Sequence, residues 1–329
     1  MSQGEYLQFG GMAVVEGVMM RSPHYWAVAC RAPSGQIVVK TEPLEQTWIG
    51  RQKWLKKPFL RGTLAMLDTM ALGSRAMNFA SNVQLEAESA GTKKTKTLDN
   101  ATLVLTLVVS LAFGFVVFKL GPEAIAQWLR PGEKDHQGTG TNYLAELIKI
   151  VFFIGYLMLI RRLPAILEVF KYHGAEHKAI NAVEANEGLS VATAQAQTRL
   201  HPRCGTNFAI IVLLVGLLLF PLIPRFGQSD APMALVVLIR LGIELCILPF
   251  IAGISYEIIR AAGKAKDQRW VNVLLKPGLM TQFITTEEPE EKHLEVAVAS
   301  LEAVLLAEEN GTVTNIPYDP AFGTAPATA

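Results

Sequence analysis

Asn100-Ala-Thr-Leu-Val-Leu-Thr-Leu-Val-Val-Ser-Leu-Ala-Phe-Gly-Phe-Val-Val-Phe118 runs without a single charged side chain. A helix needs about 20 apolar residues to cross the ~30 Å hydrocarbon core of a bilayer, so this stretch fits one crossing. Three further runs follow. Tyr143 to Ile160 has the length but holds Glu146 and Lys149, three apart on a helix and able to pair. Thr206 to Pro224 is apolar throughout. Ala231 to about Ser255 is interrupted by Arg240 and Glu244, one turn apart. Their mutual pairing would let the span insert, and an intramembrane charge pair is also a functional-site candidate.

Composition agrees with that reading. Half of the 329 residues are hydrophobic and 18% are charged, against about 25% in a soluble domain. Mean hydropathy is +0.29. Lys plus Arg number 30 and Asp plus Glu 29, which leaves no global positive field to collect nucleic-acid phosphates. Three cysteines far apart do not make a disulfide framework. The expected fold is an α-helical integral membrane protein with about four transmembrane helices. A small N-terminal α/β region and a C-terminal amphipathic helix flank it.

Positive charge sets the expected orientation. Lys93, Lys94 and Lys96 precede the first span, and Arg161, Arg162 and Lys171 follow the second. Arg199 and Arg203 precede the third, and Arg260, Lys264, Lys266 and Arg269 follow the fourth. The opposite loops carry only Arg130 and Lys134, then Arg225. Both termini and the middle loop, 161–205, are therefore expected in the cytoplasm, where Cys204 would stay reduced. Residues 1–10 lack the basic stretch and apolar core of a signal peptide.

The chain then divides into four segments. Residues 1–98 form the cytoplasmic α/β region. Val14, Val15 and Val18 in the run Gly10–Gly17 suit a buried strand with close backbone approach, and Glu16 within it needs a partner such as Arg21 or Arg61. Pro33-Ser34-Gly35 predicts a hairpin between Trp26–Arg31 and Ile37–Lys40, and from Leu60 the spacing turns helical. Trp48, Arg51, Lys53, Trp54, Lys56 and Lys57 suit a surface that meets anionic headgroups. Residues 99–260 are the membrane domain with its middle loop. Residues 261–310 hold an amphipathic helix with Leu294, Ala297, Val298, Leu301 and Leu305 on one stripe. Residues 311–329 read as a loose tail.

Chemistry concentrates in the middle loop. His173-Gly-Ala-Glu176-His177 lies on a helix that Pro164 can open and Gly188 close. There His173, Glu176 and His177 project from one face, so two imidazoles can share a metal while Glu176 acts as general base on a bound water. The arrangement H-x-x-E-H is that of the inverzincin peptidases. The same residues also suit a solvated polar helix face. His201 and Cys204 follow, three apart, as further candidate ligands, or as a tight turn into the third span. Four protein ligands would close a structural zinc site, whereas three would leave a position for water. Glu257, at the cytoplasmic end of the fourth span, is a candidate downstream carboxylate ligand, with pairing to Arg260 as its alternative.

The quoted residues resemble one family. Gly10–Arg21, Pro58–Gly62, Tyr172–Lys178, His201–Thr206, Ala252–Glu257, Pro277–Leu279 with Gln282, and Thr285–Pro289 are similar to the signatures of the bacterial YqhQ-like family of unknown function. The resemblance runs from about Gln8 to Leu306, with Met12 where the family pattern carries Gln. It implies a multi-pass protein of the bacterial cytoplasmic (inner) membrane. The family has been described as predicted metal-dependent enzymes, a label that itself rests on motifs.

Three functions are therefore expected to compete. The first is a metal-dependent membrane hydrolase at the cytoplasmic face. It would use a divalent metal, zinc by its ligands, and act on membrane peptides or lipid-linked molecules. The second is a non-enzymatic accessory protein of membrane-protein biogenesis with a structural metal or polar cluster. The third is a small transporter using Arg240, Glu244, Lys149 and Glu146. The expected partners are the lipid bilayer, a membrane-peptide or lipid-linked substrate and membrane-biogenesis proteins, with no nucleic acid.

Overall fold

The turn at Pro33-Ser34-Gly35, with Gly35 at φ 89°, folds β3 (Tyr25–Arg31) onto β4 (Ile37–Pro43). In this computed structural model residues 9–44, 60–89, 100–130, 139–222, 233–264, 269–311, 313 and 315–316 are described. The aromatic–basic stretch Trp48–Lys57 and most of the 311–329 tail lie outside them, as do the side chains of Arg61 and Arg240.

The glycine-punctuated run is a second hairpin rather than one buried strand. β1 (Gly10–Val14) and β2 (Gly17–Arg21) pair antiparallel, and Val15 and Glu16 form the turn, with Glu16 at φ 49°. Glu16 thus escapes burial in a strand. Its carboxylate accepts a hydrogen bond from the Tyr172 hydroxyl at 3.1 Å, not from Arg21, which pairs with Asp68 at 3.6 Å. The four strands make a meander in the order β1-β2-β3-β4.

Side chains alternate across a sheet, and here both faces are covered. Val14, Met19, Trp26, Val28, Cys30 and Val38 meet Leu72, Ala76, Ala80 and Val83 of α1 (Leu60–Ser89). Val18, Met20, Ala27, Ala29 and Val39 meet α5 (Pro164–Glu184) and α10 (Glu291–Asn310). The N-terminal sheet, the middle-loop helix and the C-terminal helix therefore share one core. Leu294 and Leu301 of α10 are fully buried, each worth roughly 1.5–3 kcal/mol of transfer free energy.

Four helices are long and apolar enough to cross a membrane: Val108–Leu129, Gly140–Ile160, Gly205–Leu222 and Leu241–Ala261. The first extends past the expected end at Phe118. α2 (Asn100–Phe115) continues through a π turn (Val116–Leu120) into α3 (Gly121–Leu129). Lys119, the first residue beyond that end, is buried and paired with Glu123 at 3.0 Å and with Glu244. Glu244 on α8 (Met233–Lys264) thus bonds to another helix, whereas the expected pairing with Arg240 one turn away falls on a side chain outside the described residues. Glu146 and Lys149 on α4 (Thr139–Ile160) pair as expected, at 2.7 Å.

α6 (Val191–Ala196) follows the middle-loop helix, and α7 (Gly205–Leu219) begins the third apolar run. α9 (Arg269–Thr285) is a helix the sequence reading did not anticipate, because Pro277-Gly278 reads as a breaker. Gly278 lies so close to Asn207 of α7 that a Cβ would fall 1.5 Å from Asn207 Oδ1. That contact lets α9 lie along α7 and deliver its C-terminus to the middle loop.

Candidate metal centre

α5 starts at Pro164, whose fixed φ suits the first helical turn, and carries the motif in its second half. Its Tyr172, Ala175 and Ala179 face the sheet and α10. The neighbouring row, His173 and His177, turns toward the loop before α7, with ring centroids 4.5 Å apart. Cys204 is the N-cap of α7. One ligand atom from each of His173, His177 and Cys204 lies within 4.8 Å of the others.

The tautomers follow from the hydrogen-bond network. His173 Nδ1 sits 2.8 Å from the Thr285 carbonyl and His177 Nδ1 2.6 Å from the Arg199 carbonyl. A carbonyl only accepts, so both Nδ1 atoms carry the proton and both Nε2 atoms offer a lone pair. His173 Nε2 lies 3.1 Å from Cys204 Sγ, and His177 Nε2 is buried with no hydrogen bond among the described residues. Two lone pairs thus face one sulfur, which carries at most one proton. A thiolate and two neutral imidazoles around a cation satisfy all three atoms, and carbonyl-held Nδ1 groups are the usual support for metal-ligating histidines.

Electrostatics point the same way. Burial holds His177 below the ordinary imidazole range, so it stays neutral. Burial works against ionisation of Cys204, but the His177 imidazole and the Thr206 hydroxyl and N–H outweigh it and hold the thiol below its usual value. Glu176 is fully buried beside them. Burial pushes its carboxyl up to about 8, Cys204 adds to the rise, and His173 and the Gly11 N–H oppose it only in part. Its Oε2 has no hydrogen bond among the described residues. Gly11 has to be glycine here, since a Cβ would lie 2.8 Å from the Glu176 carboxyl carbon.

The supporting shell comes from distant segments. Gln282 of α9 clasps the backbone of His201, accepting its N–H at 2.9 Å and donating to its carbonyl at 2.8 Å. Asn207 donates to the Pro202 carbonyl at 2.7 Å. Arg203 pairs with Glu184. Gly174 packs against the link after α9, where a Cβ would fall 2.2 Å from the Glu287 carbonyl oxygen. The Glu287 N–H donates to the Phe170 carbonyl at 2.9 Å, and its carboxylate pairs with Arg161 and, at 3.3 Å, with Arg199.

Of the expected site residues, the structure brings together His173, His177, Cys204 and Glu176. His201 stands one layer out, its ring 5.7 Å from that of His177 and its Nε2 3.7 Å from Glu184. Glu257, half-buried on α8, is not in the group of converging ligand atoms. Glu16 is bonded to Tyr172, the neighbour of His173, and is not among the converging ligand atoms, and Glu244 belongs to the Lys119 cluster. Sequence reading quoted Gln282 within the family resemblance but gave it no role, and it missed the carbonyls of Thr285 and Arg199. Gly10-Gly11 was the one available signal of close backbone approach.

The chain thus combines four membrane-length helices, a two-sided sheet and a histidine–cysteine cluster. The chain belongs to the family described as protein of unknown function (DUF1385), whose model matches residues 57–307. Among its relatives is the uncharacterized protein YqhQ of Bacillus subtilis (strain 168), 33% identical over 314 residues, covering 92% of this chain and 95% of the relative. No solved structure matches.

Proposed function

We propose that this protein is a metal-dependent membrane hydrolase with its site at the cytoplasmic ends of the apolar helices. The observation that carries the reading is the convergence of two Nε2 lone pairs on Cys204 Sγ, each imidazole fixed by a backbone carbonyl. A bound divalent cation, zinc by its N/N/S donors, would supply Lewis acidity and make a water nucleophilic near neutral pH. His173, His177 and Cys204 hold it. Three protein ligands leave a position open, and Glu176 stands beside it as proton acceptor. A dication next to its carboxyl would offset the burial that now keeps it protonated. Both termini and the site face the cytoplasm, on the positive-charge bias of the flanks.

Elemental analysis of the purified, untagged protein tests the reading. About one zinc per chain is expected, lost in His177→Ala and kept in Glu176→Gln. Cobalt substitution should give a thiolate charge-transfer band that disappears in Cys204→Ser, and acetohydroxamate should perturb the cobalt spectrum through the open position. Metal-free wild-type protein purified without chelators would sink the centre. A cobalt spectrum blind to acetohydroxamate would make the metal structural and favour the accessory-protein reading.

A further inference from the structure

β1 is the edge of the sheet. Val14 and Gly17 close a two-residue turn, so the ladder to β2 uses the N–H and C=O groups of Gly10, Met12 and Val14. Those of Gly11 and Ala13 point away from β2. The Gly11 N–H is taken by the Glu176 carboxyl. The Gly11 carbonyl and both backbone groups of Ala13 make no hydrogen bond among the described residues. Among the described residues these three groups, the Gly11 carbonyl and the Ala13 N–H and carbonyl, are a short template for another strand, and it ends at the Glu176 carboxyl, whose Oε2 is buried and has no hydrogen bond among the described residues. Gly10 is exposed, and neither it nor Gly11 carries a side chain to obstruct a second backbone.

We infer that the substrate is a polypeptide in extended conformation, which pairs with β1 as an added strand and lays a peptide bond across Glu176 toward His173, His177 and Cys204. The inference rests on the metal-centre reading for its chemistry and on the sheet edge alone for its binding. Pairing through the main chain gives affinity with little demand on side-chain identity. The reaction is hydrolysis. The oxygen of water bonds to the carbonyl carbon and the C–N bond breaks. Glu176 takes one proton from water and delivers it to the departing nitrogen, and the second proton passes from the new carboxyl to the amine, leaving a carboxylate and an ammonium.

The test uses a short fluorescein-labelled peptide of alternating Val and Lys, and the same peptide with every second amide N-methylated. Fluorescence anisotropy with the detergent-solubilised full chain should show saturable binding of the first and at least about tenfold weaker binding of the second. Ala13→Pro removes the outward N–H and no ladder bond, so it should weaken the unmethylated peptide by a similar factor while zinc content stays at the wild-type level. Met12→Pro, which removes a ladder bond, controls for damage to the sheet. Equal binding of the two peptides by wild-type protein, or no saturable binding of either, overturns the inference, whatever Ala13→Pro does to folding. Saturation by phosphatidylglycerol vesicles without peptide binding also overturns it, in favour of a lipid-linked substrate. Zinc content separates the two readings: peptide binding to a metal-free protein leaves the edge intact and removes the hydrolase.

Discussion

At His173 and His177 the informative atom is the nitrogen that faces away from the cluster. Each Nδ1 is tied to a backbone carbonyl, of Thr285 and Arg199, and those ties decide which nitrogen has a lone pair to give. On the proposed metal-centre reading, disturbing the carbonyl should therefore weaken metal binding. Gly174→Ala places a methyl against the Glu287 carbonyl, two residues beyond Thr285. It should cost about 1–3 kcal/mol in denaturant unfolding and weaken zinc retention against a chelator. Undiminished zinc affinity in a destabilised protein would show that the Thr285 tie does not matter. The motif itself was legible in the sequence, because helical spacing alone places residues 173, 176 and 177 on one face. The supporting carbonyls were not, since any residue type supplies one and only tertiary packing chooses which.

Among the elements, α10 is the clearest case of a pattern honoured. Its stripe of Leu294, Ala297 and Leu301 is buried against the sheet, with Val298 and Leu305 on the flanks. Leu301→Ala should cost about 2–5 kcal/mol, whereas Leu306→Ser, 38% exposed on the same helix, should stay within about 0.5 kcal/mol. α9 shows the opposite case, for Pro277-Gly278 would end most helices and is kept here by the close fit to Asn207. α10 also carries an acid-sensitive latch. Burial alone would raise the carboxyl of Glu168, but hydrogen bonds from Lys292, His293 and Lys171 outweigh it and pull the pKa down to about 2. A carboxyl depressed by folding stabilises the protein above its unfolded pKa, about 4.3 for Glu, and that contribution is lost as pH falls toward the folded value. The protection of α10 amides, relative to their intrinsic exchange rates at each pH, should therefore fall between about pH 4.3 and about 2, and Glu168→Gln should flatten that dependence. An unchanged acid limb in the variant would assign the loss to another group.

For the whole molecule, composition and run length already announced four long apolar helices, and they are present. What could not be read was how they are tied together. The Lys119–Glu244 contact joins the first to the fourth. Lys119→Ala and Glu244→Ala should each destabilise the protein, and the double variant should lose less than the sum by about 1–3 kcal/mol. Strict additivity would mean the pair is incidental. The proposed topology predicts that cysteines placed at Gly138 and Ser229 react with an impermeant reagent from outside and one at Gly188 does not. Labelling at 188 from outside would invert the orientation.

The tie between His173 and Thr285 also dates the site. A ribosome makes His173, His177 and Cys204 before the fourth apolar helix, and Thr285 only after it. A nascent chain that has emerged only as far as Lys264 holds all three donor side chains, but not the carbonyl that sets one imidazole or the glutamine that clasps the loop at His201. The centre can mature only when the last helix has been placed and the chain has returned to α5. On the proposed hydrolase reading, a half-made chain has no assembled site with which to act on its neighbours.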